Sequence, residues 1–310
     1  MAFENFITES KVILTEGGVV ERIRRDVSVN LDPFIAHSGL IYDKKGREVL
    51  RNIYNEYISI GQEHNLPFMS LAPTWRANPE RINKSAFYNY KNINKDCIDF
   101  LNEIRRNYSG YSESIMIGGM MACKGDAYRP EEALSKEDAA KFHDEQAKAL
   151  ANSNLDFIKA ATLPAASEAY GIASAISAYR VPYILSFVVR KDGSILDGTP
   201  LHAAIDLIDS EIYPEPVFYM VNCVHPTIFE QAVTHNLNIS ENITGRIMGF
   251  QANTSEKSPE ELDDLSYLDT YDPGEFAELM ISLHKKFGIK VLGGCCGSDR
   301  RHIAEIAKRL

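Results

Sequence analysis

Short runs of β-branched and apolar residues recur along the chain at near-even intervals, with segments of helical period between most of them. This alternation is the strongest constraint on the fold. Runs at about Val12–Thr15, Pro67–Leu71, Ser114–Ile117, Asp156–Ala160, Pro182–Val188, Val217–Val221, Ile247–Phe250 and Lys290–Gly293 read as strands. Strands that alternate with helices connect by crossovers and so build a parallel sheet. Eight strands in 310 residues leave about 39 residues per unit, within the range of a (β/α)8 barrel with insertions. The reading is an α/β fold: a single TIM barrel domain over residues 1–310. An open doubly wound sheet has the same alternation, but no Gly-x-Gly-x-x-Gly follows the first strand, which weakens a dinucleotide-binding reading.

Local signals agree with this pattern. Ser135 can cap a helix that carries Ala139, Phe142, Gln146 and Leu150 at helical spacing. A second helix is expected from about Pro273 to Phe287, with Gly288 placed to stop it. A last one starts near Arg300 and puts Ile303, Ile306, Ala307 and Leu310 on one face. The polar stretch Gln251–Asp272 follows the seventh strand. On the barrel reading it is a long loop at the C-terminal rim, where active sites of this fold sit.

Composition limits the partners. Lysine and arginine number 33 against 43 aspartates and glutamates, a net charge of −10, so the basic footprint of a nucleic-acid binder is missing. The longest apolar run, Val181 to Val189, is about half of what a membrane span needs. No basic segment followed by an apolar one opens the chain, so a cytoplasmic location is expected. Oligomeric state is left open, a homo-oligomer being one option. Five cysteines, an odd and sparse set, point to metal or redox chemistry rather than a disulfide framework.

The cysteines carry the chemistry. Gly293-Gly294-Cys295-Cys296-Gly297 directly follows the last strand. Adjacent side chains of an extended strand point to opposite faces, so two neighbouring thiolates reach one metal only where the backbone turns, and the flanking glycines permit that. Cys223 ends the sixth strand, 72 residues before Cys295. That spacing puts the two segments on strands six and eight of a small barrel, at the same rim. Structural zinc is almost always held by four protein ligands, whereas catalytic zinc keeps a position open. Three cysteines therefore suggest zinc with room for a substrate thiol. Coordination strips a thiol of its proton, and the thiolate is the nucleophile. The simplest consequence is attack on a methyl group of a sulfonium or quaternary ammonium donor. Other readings stand beside this one. Cys223 alone fits a small buried apolar residue, the adjacent pair can be a vicinal disulfide or inert core, and His225 can close a structural zinc site. Cys97 and Cys123 fit no metal spacing and read as structural thiols.

The closing motif Gly293-Gly294-Cys295-Cys296-Gly297 with His302-Ile303, and Asn222-Cys223 with Pro226, resemble the homocysteine S-methyltransferase family. Weaker similarity runs through Glu16-Gly17-Gly18, Asp156-Phe157-Ile158 and Ser186-Phe187, so the likeness covers essentially the whole chain. The resemblance implies a zinc-dependent (β/α)8 barrel that methylates the thiol of homocysteine or a selenium analogue, giving methionine or its analogue. The family's donors include S-methylmethionine, S-adenosylmethionine, betaine and methylfolate through cobalamin. No cobalamin or folate domain fits beside the barrel, so a corrinoid donor is expected on a separate protein. The resemblance places the zinc ligands at Cys223, Cys295 and Cys296.

Departures from the family pattern bear on substrate. Glu16 stands where family members of known activity have the Asp of an Asp-Gly-Gly turn, so the expected role is to hold the acceptor's ammonium with one extra methylene. Ala161-Thr162 stands where the family has a Glu-Thr pair after the fourth strand. Losing that acid forfeits a charged hydrogen bond of about 1.5–3 kcal/mol, so either another group takes over or the acceptor differs. Gly118-Gly119-Met120-Met121-Ala122-Cys123 replaces a Gly-Ser-x-Gly-Pro-like stretch, while Tyr128 keeps a family-like place. Asn253 is a second substrate-binding candidate, able to donate to a carboxylate or to form a turn. Asn222 is expected to support the zinc loop, and Trp75 offers a ring for a cationic donor. The competing expectations are a family member with another thiol acceptor, a non-catalytic barrel with structural zinc, and a metal-free α/β enzyme such as an aldolase.

Overall fold

The computed structural model describes residues 2–26, 28–90, 92–238, 241–257 and 271–310. Eight strands form a closed parallel barrel in sequence order. They are β1 (Ile13–Thr15), β2 (Phe68–Leu71), β3 (Ile115–Met121), β4 (Phe157–Leu163), β5 (Tyr183–Phe187), β6 (Phe218–Asn222), β7 (Ile247–Ala252) and β8 (Val291–Gly294). Each pairs with the next, and β8 returns to β1 through Ile13 opposite Val291 and Leu14 opposite Leu292. The predicted (β/α)8 barrel is the observed one, and every predicted strand is present within a few residues.

Alternation along the strands sorts side chains into two cores. Leu14, Phe68, Ile117, Ile158, Leu185, Tyr219, Val221, Phe250 and Leu292 face outward and pack under the helices. Ile13, Met69, Leu71, Met116, Phe157, Ile184, Phe218, Met220 and Val291 form the inner cluster. This inner core is closed at its N-terminal end by a helix absent from the sequence reading, Phe3–Glu9. Its Phe3, Phe6 and Ile7 are buried with the inner strand residues. Phe3 stacks on Phe157 with ring centroids 4.5 Å apart and on Phe218 at 6.4 Å. The N-terminal end is thus plugged, and the open end of the barrel is the C-terminal rim.

Two of the predicted helices have their expected ends, and the last stops short of Leu310, which is exposed beyond it. The helix Lys136–Ala151 begins with the Ser135 hydroxyl accepting from the Asp138 N–H, and the helix Pro273–Phe287 stops at Gly288 with φ of 70°, a left-handed conformation favoured by glycine. The last helix, Arg300–Lys308, is fixed by a capping box in which Asp299 and His302 satisfy each other's backbone N–H groups. His302 also reaches the Tyr271 carbonyl with Nε2, so this motif histidine is engaged in capping and loop anchoring. The stretch expected as a long loop is in part strand: Gln251 and Ala252 end β7. Its residues 258–270 lie outside the described ones.

Candidate metal centre and substrate pocket

Three strand ends build the centre. β6 ends at Asn222, and Cys223 turns away with φ of 58°. β8 ends at Gly294, so Cys295 and Cys296 lie on the turn that follows. β7 lies between them and pins both: the Cys223 N–H donates to the Gln251 carbonyl at 3.1 Å and the Cys295 N–H to the Ala252 carbonyl at 2.7 Å. The pleat of the intervening strand thereby brings sulfurs from alternate strands together. The flanking glycines divide the work differently from the expectation. Gly297 has a positive φ of 82°. Gly294 instead permits close approach, because a Cβ there would strike the Ser298 side chain.

The ligating atoms of Cys223, Cys295 and Cys296 all lie within 4.8 Å of one another. Cys295 and Cys296 sulfurs are 4.0 Å apart, while those of Cys223 and Cys295 are drawn together as a disulfide. The donor set fits a thiophilic metal: ligands at about 2.3 Å in a tetrahedron put sulfurs roughly 3.8 Å apart. Metal binding requires the Cys223–Cys295 pair in its dithiol form, since the thiolate is the ligand. Burial pushes the Cys296 thiol up to about 12. Among the described residues no histidine or carboxylate joins the trio. His225 is otherwise engaged: its Nδ1 caps the helix Pro226–Thr234 by accepting from the Thr227 N–H. A tetrahedral metal held by these three sulfurs would keep its fourth position for an outside group.

The trio opens onto a cavity of about 290 Å³ lined by Glu16, Tyr54, Trp75, Met120, Ala161, Asn222 and Gln251, among others. Glu16 is buried, with Oε1 accepting from the Leu71 N–H at 2.9 Å and Oε2 from the Thr15 hydroxyl at 2.8 Å. Burial pushes its carboxyl up to about 7, against the pull of these hydrogen bonds and of the Lys159 charge. Ala161 belongs to β4 itself rather than following it, beside a register shift at which Thr162 has φ of 60°. Asn222 stabilises that distortion. Its Oδ1 accepts from the Thr162 N–H and the Ser186 hydroxyl, and its Nδ2 donates to the Thr162 hydroxyl.

Other candidates sort by position. Met120 lines the cavity, whereas Met121 packs into the outer core. Trp75 lines it too, with the Arg76 guanidinium over its ring at 4.5 Å. Asn253 is not among the lining residues, and its Oδ1 accepts from the Ser255 N–H, the turn-forming alternative. Cys97 and Cys123 are buried thiols bonded to backbone carbonyls. Sequence reasoning missed His37, a buried lining residue held neutral by burial, and missed Lys159 and Gln251. Lys159 is a charge in an apolar strand run, the one signal that marked it.

Comparison with known proteins follows the same lines. The family model described as homocysteine S-methyltransferase matches residues 13–310. Homocysteine S-methyltransferase YbgG of Bacillus subtilis is 25% identical over 215 residues, 66% of this chain. The match spans 63% of that relative's length. Among solved structures, the homocysteine methyltransferase MmuM from Escherichia coli in its metallated form is 19% identical with a TM-score of 0.76, covering 99% of both chains. Its oxidized form is 18% identical with a TM-score of 0.77, covering 98% of both. At these identities the structural likeness is one of fold, and it is the family match over nearly the whole sequence, on a barrel with three clustered rim cysteines, that places the chain: it belongs to the homocysteine S-methyltransferase family.

Proposed function

We propose that this protein is a zinc-dependent S-methyltransferase that transfers a methyl group from a sulfonium or ammonium donor to the thiol of homocysteine, giving methionine. The observation that carries the reading is the meeting of Cys223, Cys295 and Cys296 at the mouth of a pocket that also contains Glu16. The three cysteines would hold zinc, which supplies the acidity that keeps an acceptor thiol deprotonated near neutral pH. Glu16, as a carboxylate, takes the acceptor's ammonium and so fixes the direction of the amino-acid end. Asn222 holds the end of β6 against β4 and β5, which keeps Cys223 in place. The closed bottom of the barrel leaves access from the rim alone, so the acceptor sulfur and the donor methyl meet in one cavity at high effective concentration. The acceptor's sulfur lone pair forms the new C–S bond as the donor's bond to methyl breaks. The electron pair stays on the donor, which leaves neutral, and the thiol's proton passes to solvent.

A second acceptor is favoured by one observation. Ala161 presents only a methyl group to the pocket, so β4 offers no acid to an acceptor's ammonium and the pocket admits a small thiol that lacks one. Zinc-loaded protein given L-homocysteine and S-methylmethionine is expected to form methionine. Transfer confined to other small thiols would replace the homocysteine assignment, and no transfer to any thiol would leave a binding barrel.

A further inference from the structure

Beneath the pocket lies a buried polar chain whose donor and acceptor roles run one way when Lys159 is an ammonium and Glu16 a carboxylate, burial pushing the first down to about 7 and the second up to about 7. Lys159 is 1% exposed on β4, two residues before Ala161 and on the same face of the strand. Its ammonium donates to Gln251 Oε1 on β7. An ammonium has donors and no acceptor, so the carboxamide must turn its oxygen toward it. That turns the Gln251 Nε2 group toward β1, where it donates to the Thr15 Oγ1 and to the Glu16 carbonyl, both at 3.4 Å. A hydroxyl that accepts there has its single hydrogen free for another partner, and Thr15 donates it to Glu16 Oε2 at 2.8 Å. Every link therefore points from the cation toward the carboxylate.

We propose that Lys159, Gln251 and Thr15 form a one-directional hydrogen-bond relay that holds the Glu16 carboxylate in its acceptor-binding place, with Lys159 as the positioning residue that sets its direction. The proposal rests on the acceptor-binding role assigned to Glu16 above. Without the ammonium, the Gln251 amide is free to rotate. Its oxygen facing Thr15 would then take the hydroxyl hydrogen, and Glu16 Oε2 would lose its donor while Oε1 stayed bonded to Leu71. A carboxylate held by one oxygen swings about that bond, and the ammonium of the acceptor loses a fixed partner. Lys159 thus acts on Glu16 through two intermediaries, Gln251 and Thr15, without lining the cavity itself.

The test uses the zinc-loaded full-length enzyme with L-homocysteine and S-methylmethionine. Thr15→Val is expected to raise the homocysteine KM about tenfold, the scale of one lost charged hydrogen bond, with kcat within about twofold. Thr15→Ser, which keeps the hydroxyl, should retain the wild-type KM. Lys159→Met should raise KM as Thr15→Val does, and the double variant should be no worse than either single one, because both break the same chain. Where Lys159→Met does not fold, Gln251→Leu takes its place in the cycle. An unchanged KM in Thr15→Val, a Thr15→Ser variant as impaired as Thr15→Val, or additive effects in the double variant would each overturn the relay. A wild-type enzyme inactive on homocysteine would instead overturn the proposed function. The relay is then decided by the crystal structure of Thr15→Val: a displaced Glu16 carboxylate supports it, and one that keeps its wild-type position ends it.

Discussion

A single carboxyl group concentrates the chemistry of the pocket. Glu16 is buried, and burial raises its proton affinity to about 7 from an ordinary 4.5. Two consequences follow with definite sign. In the proposed role of Glu16 the acceptor's ammonium needs the carboxylate, so homocysteine affinity should weaken as pH falls through about 7, and kcat/KM should fall with it while kcat at saturation changes less. Folding is linked the other way: a raised native pKa favours the protonated group, so this residue's contribution to stability is full below 4.5 and is lost as pH rises through about 7. Glu16→Gln removes this group's share of both dependences and leaves that of Lys159, which burial pushes down to about 7. The variant's homocysteine kcat/KM should drop by roughly ten- to a hundredfold, matching about 1.5–3 kcal/mol for a charged hydrogen bond, and a pH–rate profile that keeps the wild-type inflection near neutrality would reassign it to another group.

Elements show where sequence reasoning reaches and where it stops. The eight strands and the helix caps at Ser135 and Gly288 were legible because each rests on a local rule of period or backbone geometry. So was the convergence of Cys223 with Cys295, since 72 residues is about two barrel units. The Phe3–Glu9 plug was not legible, for it is two turns long and its Phe3, Phe6 and Ile7 become meaningful only once a barrel exists to be closed. Likewise Lys159 has no local explanation in β4; its partner Gln251, and Thr15 to which Gln251 donates in turn, are 92 and 144 residues distant from it along the chain, and only the closed sheet brings them near. The plug makes its own prediction. Phe3 is buried and stacked between Phe157 and Phe218, so Phe3→Ala should lower unfolding free energy by about 3–5 kcal/mol in denaturant titrations. The folded variant's homocysteine KM should stay at the wild-type value, because the plug and the pocket occupy opposite ends of the barrel. A large rise in KM would mean that the inner core transmits strain to the rim.

At the scale of the whole molecule, the question is whether metal holds the fold together or serves a reaction in a fold that stands without it. The segments that carry the sulfurs are joined without metal: β6, β7 and β8 are consecutive neighbours in a closed ladder, and backbone bonds from Cys223 and Cys295 to β7 complete the rim. Two hydrophobic cores, one inside the barrel and one beneath the helices, bury the apolar surface. A small zinc-dependent domain lacks such cores and unfolds with its metal. Chelation of zinc under reducing conditions should therefore abolish methyl transfer while leaving far-ultraviolet circular dichroism unchanged, and added zinc should restore activity without a refolding step. Stabilisation by metal then follows mass action alone, about 2.7 kcal/mol at free zinc one hundredfold above its Kd. That corresponds to a rise in Tm of roughly 5 °C for a domain of this size. A cooperative loss of secondary structure on chelation would assign the three cysteines a structural role and return the acceptor's place at the centre to doubt.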